Sequence, residues 1–285
     1  MMFFRLPLAV VWNVSPEIVS FDVWGVTLSI TWYGLLFASG FIIGQQILFR
    51  IFRQDGKPAA DVDMLTVYVG IATVVGARLG HFVFYEWELL LSNPVRWLKI
   101  LVTPPFMGLA SHGGTVAIWL GLYLYARRKP DQDFLWVVDR VVIPAAFGAA
   151  LIRLGNLFNS EIYGKPTHLP WGFLFVRETD PGLLPVLPRH PTQLYEAFFY
   201  FFLFALTFAL WKYKRHQLPQ GFMTGIFLIL LFGFRFVIEF FKTNQAGFEN
   251  DLRLNMGQLL SIPAILAGVM ILLTAKHNRA VPQRL

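Results

Sequence analysis

The segment 153–164 concentrates polar side chains directly behind the apolar run 141–152, and it reads Arg-Leu-Gly-Asn-Leu-Phe-Asn-Ser-Glu-Ile-Tyr-Gly. A cation, two amides and a carboxylate are costly in hydrocarbon, so they persist where they line a wet cavity or bind a ligand. If a helix continues past Arg153, Asn156 lies three residues on, and both side chains project toward one cavity. A polar network between packed helices is the alternative. We treat the segment, with Asn159 and Glu161, as the candidate active site.

A second arginine lies in an apolar stretch near the carboxyl end of the chain. Arg235 is followed four residues later by Glu239, which would share its helix face, so a structural ion pair is credible. Several arginines in one helical bundle with few nearby acids nevertheless indicate an anionic substrate, and phosphate is the simplest.

Arg78 and Tyr33 allow a structural or a functional reading. Gly76 and Gly80 flank Arg78 and permit close helix packing, so a structural arginine paired with a carboxylate competes with a ligand contact. Tyr33 is expected near the outer end of the first membrane span. An aromatic residue anchored at the membrane interface is its simplest interpretation, and a role in the site is the other.

His112 precedes the pair Gly113-Gly114 at the entrance to an apolar stretch. Glycines at a helix start let backbone N–H groups approach an anion, and a neutral imidazole there could accept a proton. A hydrogen-bonded structural histidine is the alternative. Residues 189–196, Arg-His-Pro-Thr-Gln-Leu-Tyr-Glu, are equally rich in polar groups, and their proline and threonine also fit a helix start.

The composition of the chain indicates that transmembrane helices position these residues. The 285-residue chain is 56% hydrophobic and 14% charged, with a mean hydropathy of +0.55, as expected for a polytopic membrane protein and not for a soluble domain. We predict an all-α fold of about seven transmembrane helices, each near 20 residues. The predicted spans are Val26–Phe49, Met64–Tyr85, Gly113–Ala126, Phe134–Leu154, Leu194–Trp211, Gly221–Phe241 and Met256–Ala275.

Lysine and arginine residues predict the orientation, because cytoplasmic loops are enriched in them. They follow the first, third, fifth and seventh predicted spans, whereas acids are common at the other ends. The amino terminus is therefore expected outside and the carboxyl terminus in the cytoplasm. The net charge of +7 is a topology signal, and nucleic acid is not an expected partner.

Two outer segments are too long to be simple turns. We predict an interfacial arm over 86–111 and an ordered outer cap over 156–192, both inserted into a single integral membrane domain, 1–285. Cysteine is absent, which excludes disulfides, thiolate metal sites and a cysteine nucleophile of the protein's own. We expect no metal and no cofactor, since the six histidines are scattered.

In motifs spread over nearly its whole length, the chain resembles the prolipoprotein diacylglyceryl transferases. The family's long motif is Gly-Arg-x-Gly-Asn-Phe-x-Asn-x-Glu-x-x-Gly, and its spacing is highly specific. Six of its positions are matched here, by Arg153, Gly155, Asn156, Asn159, Glu161 and Gly164. The other matching segments are 32–34, 76–80, 111–114, 189–196, 235–241 and 256–261.

The resemblance implies a reaction in which the diacylglyceryl group of phosphatidylglycerol is transferred to the lipobox cysteine of a prolipoprotein signal peptide. A thioether forms and glycerol phosphate leaves. By resemblance, Arg153 and Arg235 hold the phosphate and His112 is the candidate general base, with Tyr33 or the substrate's own phosphate as alternatives. Asn156 orients the headgroup and Gly164 permits a tight backbone. The partners implied are phosphatidylglycerol, the signal peptide and membrane lipids.

Glu161 and Glu239 are expected to fix arginines rather than abstract protons, and Arg78 and Asn159 are candidate substrate-binding residues. The chain departs from the family pattern at seven positions: Ala77, His81, Ala110, Ser111, Ile152, Leu157 and Leu231. At the last of these, leucine replaces the family's usual tyrosine. These departures indicate a divergent member of the family. A transporter or flippase for a phosphorylated amphiphile is the alternative function, although no internal repeat is evident.

Overall fold

The computed structural model describes residues 9–23, 26–102, 110–177, 186–243 and 253–275. Four short strands are β1 (Val10–Trp12), β2 (Glu17–Val23), β3 (Val26–Thr31) and β4 (Phe173–Phe175). The helices are α1 (Trp32–Gln54), α2 (Ala59–Tyr85), α3 (Trp87–Ser92), α4 (Pro94–Val102), α5 (Ser111–Arg127), α6 (Phe134–Phe158), α7 (Thr192–Lys214), α8 (Phe222–Ile238) and α9 (Met256–Ala275). A 3₁₀ turn, Glu239–Phe241, follows α8 directly.

The helical membrane fold is confirmed. Six of the described helices are long and apolar enough to cross a bilayer: α1, α2, α6, α7, α9, and α8 together with its 3₁₀ turn. Helix α5 has 17 residues, which span about 25 Å at about 1.5 Å per residue. Lys57, just before α2, donates to the Asp131 carboxylate, just after α5, at 2.6 Å. Helix α5 therefore returns to the side from which α2 starts, which supports a count of about seven.

The predicted start of the first span is wrong. Residues 26–31 form strand β3, which pairs with β2 in an antiparallel hairpin, and the helix begins only at Trp32. Val26, Thr27, Ile30 and Thr31 are β-branched residues that favour extended backbone. The Thr31 hydroxyl then accepts a hydrogen bond from the Gly34 N–H at 3.1 Å, which starts the helix.

The chain divides into two compact units, Met1–Gly44 with Asp139–Leu285, and Gln45–Val138. The single domain expected over 1–285 stays a prediction.

The first unit contains α7, α8 and α9, and the Asp139 carboxylate caps the start of α8. It accepts from the backbone N–H of Gly221 at 2.7 Å and of Thr224 at 2.8 Å. The buried charge is thus satisfied by the unpaired N–H groups of a helix terminus.

The second unit is built on close packing between α2 and α5. A Cβ at Gly80 would lie 2.6 Å from the Gly113 Cα, so only glycine allows the two backbones to meet there. At the far end of these helices, the buried Asp61 carboxylate accepts hydrogen bonds from Lys129 and Gln132. The hydrogen bond from Lys57 holds the pKa of the Asp131 carboxyl below its ordinary value.

The arm expected over 86–111 and the cap expected over 156–192 stay predictions, and residues 178–185 of the cap lie outside the described part of the chain. The arm contains the short helices α3 and α4, and its residues 103–109 lie outside the described part of the chain. In the cap, β4 pairs in parallel with β1. Leu157, Tyr163 and Phe175 form a small buried core beneath this pair, and the Trp12 indole donates to the Leu157 carbonyl at 3.0 Å.

Candidate active site

Helix α6 continues past Arg153 to Phe158. Arg153 and Asn156 therefore lie three residues apart on one face of the helix. Arg153 Nη1 donates to Asn156 Oδ1 at 3.2 Å. The Asn156 amide in turn donates to Glu161 Oε1 at 2.7 Å, and the Asn159 amide donates to the same oxygen at 3.1 Å. One carboxylate oxygen therefore fixes two amide side chains, and one of these amides orients the guanidinium group.

The chain reverses sharply after α6 through two residues with left-handed backbone. Ser160 has φ of 55° and Ile162 has φ of 58°, and these are the non-glycine residues with positive φ in the described part of the chain. The Glu161 N–H returns to the Asn156 carbonyl at 3.1 Å. Such conformations cost about 1–3 kcal/mol each and cluster at functional sites. Here they bring Glu161 back over the end of the helix.

Arg153 finds its acidic partner on α7 and not in its own segment. Its Nε lies 3.3 Å from Glu196 Oε2, and the Glu196 side chain is completely buried. The Tyr200 hydroxyl donates to Glu196 Oε1 at 3.3 Å. Lys242 Nζ lies 3.0 Å from Glu196 Oε2. A buried carboxylate is stable when it is paired and hydrogen-bonded in this way.

Arg235 and Glu239 form the ion pair expected from their spacing, with 3.8 Å between Arg235 Nε and Glu239 Oε1. The Arg235 side chain is 36% exposed, whereas that of Arg153 is 15% exposed. Asn255 Nδ2, just before α9, donates to Glu239 Oε2 at 3.2 Å. Each arginine thus has a carboxylate partner, and the Arg235 side chain is the more exposed of the two.

Tyr33 packs on the polar segment through Gly155. A Cβ at Gly155 would lie 2.7 Å from the Tyr33 ring, so the glycine allows α1 and α6 to approach closely. The neighbouring Trp32 ring stacks on Phe158 with ring centroids 5.0 Å apart. The first two residues of α1, Trp32 and Tyr33, therefore pack against the end of α6.

Gly164 lies where three backbone segments meet. Its N–H donates to the His190 carbonyl at 2.8 Å, and the next N–H, of Lys165, donates to the Phe241 carbonyl at 2.7 Å. The Arg189 guanidinium lies over the Tyr163 ring, 5.1 Å from its centroid. Burial lowers the pKa of the His190 imidazole below its ordinary value, which favours the neutral form.

Arg78 and His112 belong to the second unit. Arg78 donates to the carbonyls of Ile100 at 2.6 Å and Leu101 at 3.2 Å, at the carboxyl end of α4, where a cation is favourable. His112 is exposed, and its Nε2 lies 3.3 Å from the Tyr85 hydroxyl. The Tyr85 ring also stacks on His81, with centroids 5.4 Å apart.

The first unit thus brings together most of the residues that the sequence predicts for the site: Tyr33, Arg153, Asn156, Asn159, Glu161, Gly164, Arg235 and Glu239. Sequence reasoning missed Glu196 and Lys242 as site residues, although an acid in the first turns of an apolar helix and a lysine three residues after Glu239 were available signals. Within the described ranges, no three histidine, aspartate or glutamate side chains are placed to hold a metal ion.

Comparison with known proteins assigns the family. The family model described as prolipoprotein diacylglyceryl transferase matches residues 19–274. A phosphatidylglycerol–prolipoprotein diacylglyceryl transferase of Tolumonas auensis is 43% identical over 94% of this chain and 98% of its own length. Proteins of the same name from Chloroherpeton thalassium and Porphyromonas gingivalis are 43% and 44% identical, over 92% and 96% of this chain and 92% and 97% of their own lengths. The chain belongs to the prolipoprotein diacylglyceryl transferase family of membrane enzymes.

Proposed function

We propose that this protein transfers the diacylglyceryl group of phosphatidylglycerol to the lipobox cysteine of a prolipoprotein signal peptide, the first step of bacterial lipoprotein maturation. The names of its relatives, which match almost the whole chain, support the transferase and do not favour the transporter or flippase. In the reaction, a sulfur–carbon bond forms while the carbon–oxygen bond to the phosphate breaks. Glycerol phosphate leaves, and the thiol proton passes to a base or to the departing phosphate.

The observation that carries this proposal is the pair of arginines backed by buried carboxylates. Arg153 contacts Glu196 at 3.3 Å and Arg235 contacts Glu239 at 3.8 Å. In a site shielded from water, such prepositioned cations stabilise charge that grows on a leaving phosphate oxygen. We assign phosphate binding to both arginines and headgroup orientation to Asn156, whose amide is fixed by Glu161.

We propose His112 as the general base, with Tyr33 as the alternative on the protein side. An imidazole nitrogen that carries no proton can accept one from a thiol that lies within hydrogen-bond reach. The hydroxyl of Tyr85, 3.3 Å from His112 Nε2, is available to orient the ring. We keep Arg78 and Asn159 as candidate substrate-binding residues, Arg78 next to the carbonyls that end α4.

For the whole chain we propose a single integral membrane domain in the bacterial inner membrane, with the amino terminus outside and the carboxyl terminus in the cytoplasm. The basic residues at alternate ends of the spans support this orientation. We propose further that residues 86–111 lie in the headgroup region, and that residues 156–192 form a cap on the outer side. Phosphatidylglycerol and other membrane lipids would then reach the site from the outer leaflet.

Purified protein in phosphatidylglycerol liposomes, mixed with a lipobox peptide, tests the activity by mass spectrometry. We expect the peptide to gain one diacylglyceryl group on its cysteine. Arg153→Ala and Arg235→Ala should each lower the initial rate at least about 100-fold, because each removes charge stabilisation from the transition state. Arg127→Ala, at the exposed end of α5, is the matched control and should leave the rate unchanged.

Two further samples make the assay specific. A peptide with serine in place of the cysteine and liposomes without phosphatidylglycerol should give no product. Absence of any mass gain with the wild-type protein, under conditions in which the Tolumonas auensis relative is active, would refute the proposed function. A variant His112→Ala with a rate near that of the wild type would remove His112 as the base.

A further inference from the structure

Lys242 is a buried lysine that the reaction as described does not use. Its side chain is only 2% exposed, and its Nζ lies 3.0 Å from Glu196 Oε2 and 3.3 Å from Glu239 Oε1. Burying an ammonium group is unfavourable unless it is paired, so its position depends on both carboxylates. A lysine so enclosed cannot contact a lipid headgroup directly, and any role in the reaction must pass through its neighbours.

Each carboxylate that Lys242 contacts also holds one of the two arginines. Glu196 lies 3.3 Å from Arg153 Nε, and Glu239 lies 3.8 Å from Arg235 Nε. The five side chains therefore alternate in sign as Arg153, Glu196, Lys242, Glu239 and Arg235. We call this row the charge chain.

Exposure along the charge chain separates its ends from its middle. The side chains of Arg153 and Arg235 are 15% and 36% exposed, whereas those of Glu196, Lys242 and Glu239 are exposed by 9% or less. The two ends are the more exposed members of the charge chain, and the three inner members are buried. The inner members therefore fix where the two guanidinium groups lie.

The backbone around Lys242 is held as firmly as its side chain. Lys242 forms an isolated antiparallel bridge with Gly164, so the end of the motif segment and the chain after α8 are locked together. Glu239 is fixed from α9, because a Cβ at Gly257 would lie 2.5 Å from the Glu239 carboxyl carbon. A side chain at residue 257 would displace the Glu239 carboxylate from this position.

We infer that Lys242 and Glu196 are positioning residues, which set the separation of the Arg153 and Arg235 guanidinium groups by joining their carboxylate partners. Without the ammonium group, Glu196 and Glu239 would repel each other and each would draw its arginine inward, away from the substrate. The inference rests on the proposed function, since it assigns the arginines to the phosphate.

The test uses the purified full-length protein in phosphatidylglycerol liposomes, with kcat and KM measured for the wild type and four variants. Lys242→Met removes the bridging charge, and Glu196→Gln removes one side of the bridge with almost no change of shape. We expect kcat to fall at least about 30-fold in each, with KM for phosphatidylglycerol within about threefold, because misplaced cations weaken transition-state stabilisation more than ground-state binding. Lys242→Arg keeps the charge. The logarithm of its kcat should therefore lie at least about a third of the way from the Lys242→Met value back to the wild-type value.

Lys129→Met is the matched control, because Lys129 is also a lysine ion-paired to a buried carboxylate, that of Asp61, but it lies in the other unit. Its kcat should stay within about twofold of the wild type even if its melting temperature falls. A folded Glu196→Gln or Lys242→Met variant with kcat within threefold of the wild type would overturn the inference, and so would a Lys242→Arg variant no more active than Lys242→Met. Failure of the wild type to transfer lipid would instead refute the proposed function itself.

Discussion

Gly164 shows at the residue scale why some positions of the motif segment accept no side chain. A Cβ there would lie 2.6 Å from the His190 Cβ and 2.7 Å from the Phe241 carbonyl oxygen. Both contacts are closer than real Cβ atoms make, and the Phe241 atom belongs to the backbone. The glycine is therefore required by space, whatever else the reaction needs from it.

We expect Gly164→Ala to lower the unfolding free energy by about 1–3 kcal/mol, the usual cost of overpacking. Activity should fall at least about tenfold, because the shifted backbone carries Lys242 with it. Gly148→Ala in α6 is the control, since a Cβ at Gly148 would meet nothing within 4 Å. Thermal unfolding in detergent and the transfer assay measure both effects. Equal stability and activity for the two variants would contradict the steric explanation.

At this scale the sequence predicted part of the site and missed part of it. Arg153, Asn156 and Glu161 could be found because polar residues in a membrane segment stand out within a few positions of one another. Glu196 and Lys242 could not be paired in the same way, because 46 residues separate them in the chain, and only the packing of α7 against α8 brings them together. The interaction of Arg153 with Glu196, rather than with an acid of its own segment, was hidden for the same reason.

The end of α6 is the element that gives the site its shape. Helix C-termini commonly end in a left-handed residue, and glycine is the usual choice because it has no Cβ to clash. Ser160 takes this position with φ of 55°. Its hydroxyl is buried and makes no hydrogen bond within the described residues. The end of α6 thus contains a strained backbone conformation and an unsatisfied buried hydroxyl, and both lower stability.

We expect Ser160→Gly to raise the unfolding free energy by about 1 kcal/mol, because the strain and the unsatisfied hydroxyl are both removed. Ser160→Ala removes only the hydroxyl and should give a smaller gain. Differential scanning fluorimetry of the three proteins in one detergent compares them. A melting temperature of Ser160→Ala equal to or above that of Ser160→Gly would show that the backbone at Ser160 is not strained.

Helical elements were more predictable than the strands around them. The last span was predicted with its observed start, Met256, and it is helical throughout its described residues, because a long apolar run has few alternatives in a membrane. Strand β3 was absorbed into the first span because a hydropathy window cannot separate an apolar strand from the helix that follows it without a break. Strands β1 and β4, of three residues each, are too short to show any periodicity.

For the whole molecule, the absence of cysteine makes the orientation directly measurable. We expect a cysteine at His168, in the cap, to react with a membrane-impermeant maleimide in intact cells. A cysteine at His216, after α7, should react only after the cells are permeabilised. Both histidines are exposed, so accessibility to solvent is matched.

Pro130→Cys extends this measurement to α5. If α5 crosses the membrane, residue 130 lies on the cytoplasmic side and behaves like residue 216. Labelling of residue 130 in intact cells would show that α5 does not cross, and labelling of residue 216 in intact cells would reverse the proposed orientation.

The division into two compact units was not predictable, because it depends on contacts between segments that are distant in the sequence.

The parallel pairing of β1 with β4 has a consequence for the order of events during synthesis. Val10 lies beside Phe173, more than 160 residues later in the chain. At roughly 5–20 residues per second, a ribosome needs roughly 8–32 s to deliver the second strand. Strand β1 must stay unpaired while the helices between the two strands, from α1 to α6, are made. The β1–β4 pair therefore forms only after α6 has been made, and a nascent chain truncated before Phe173 cannot form it.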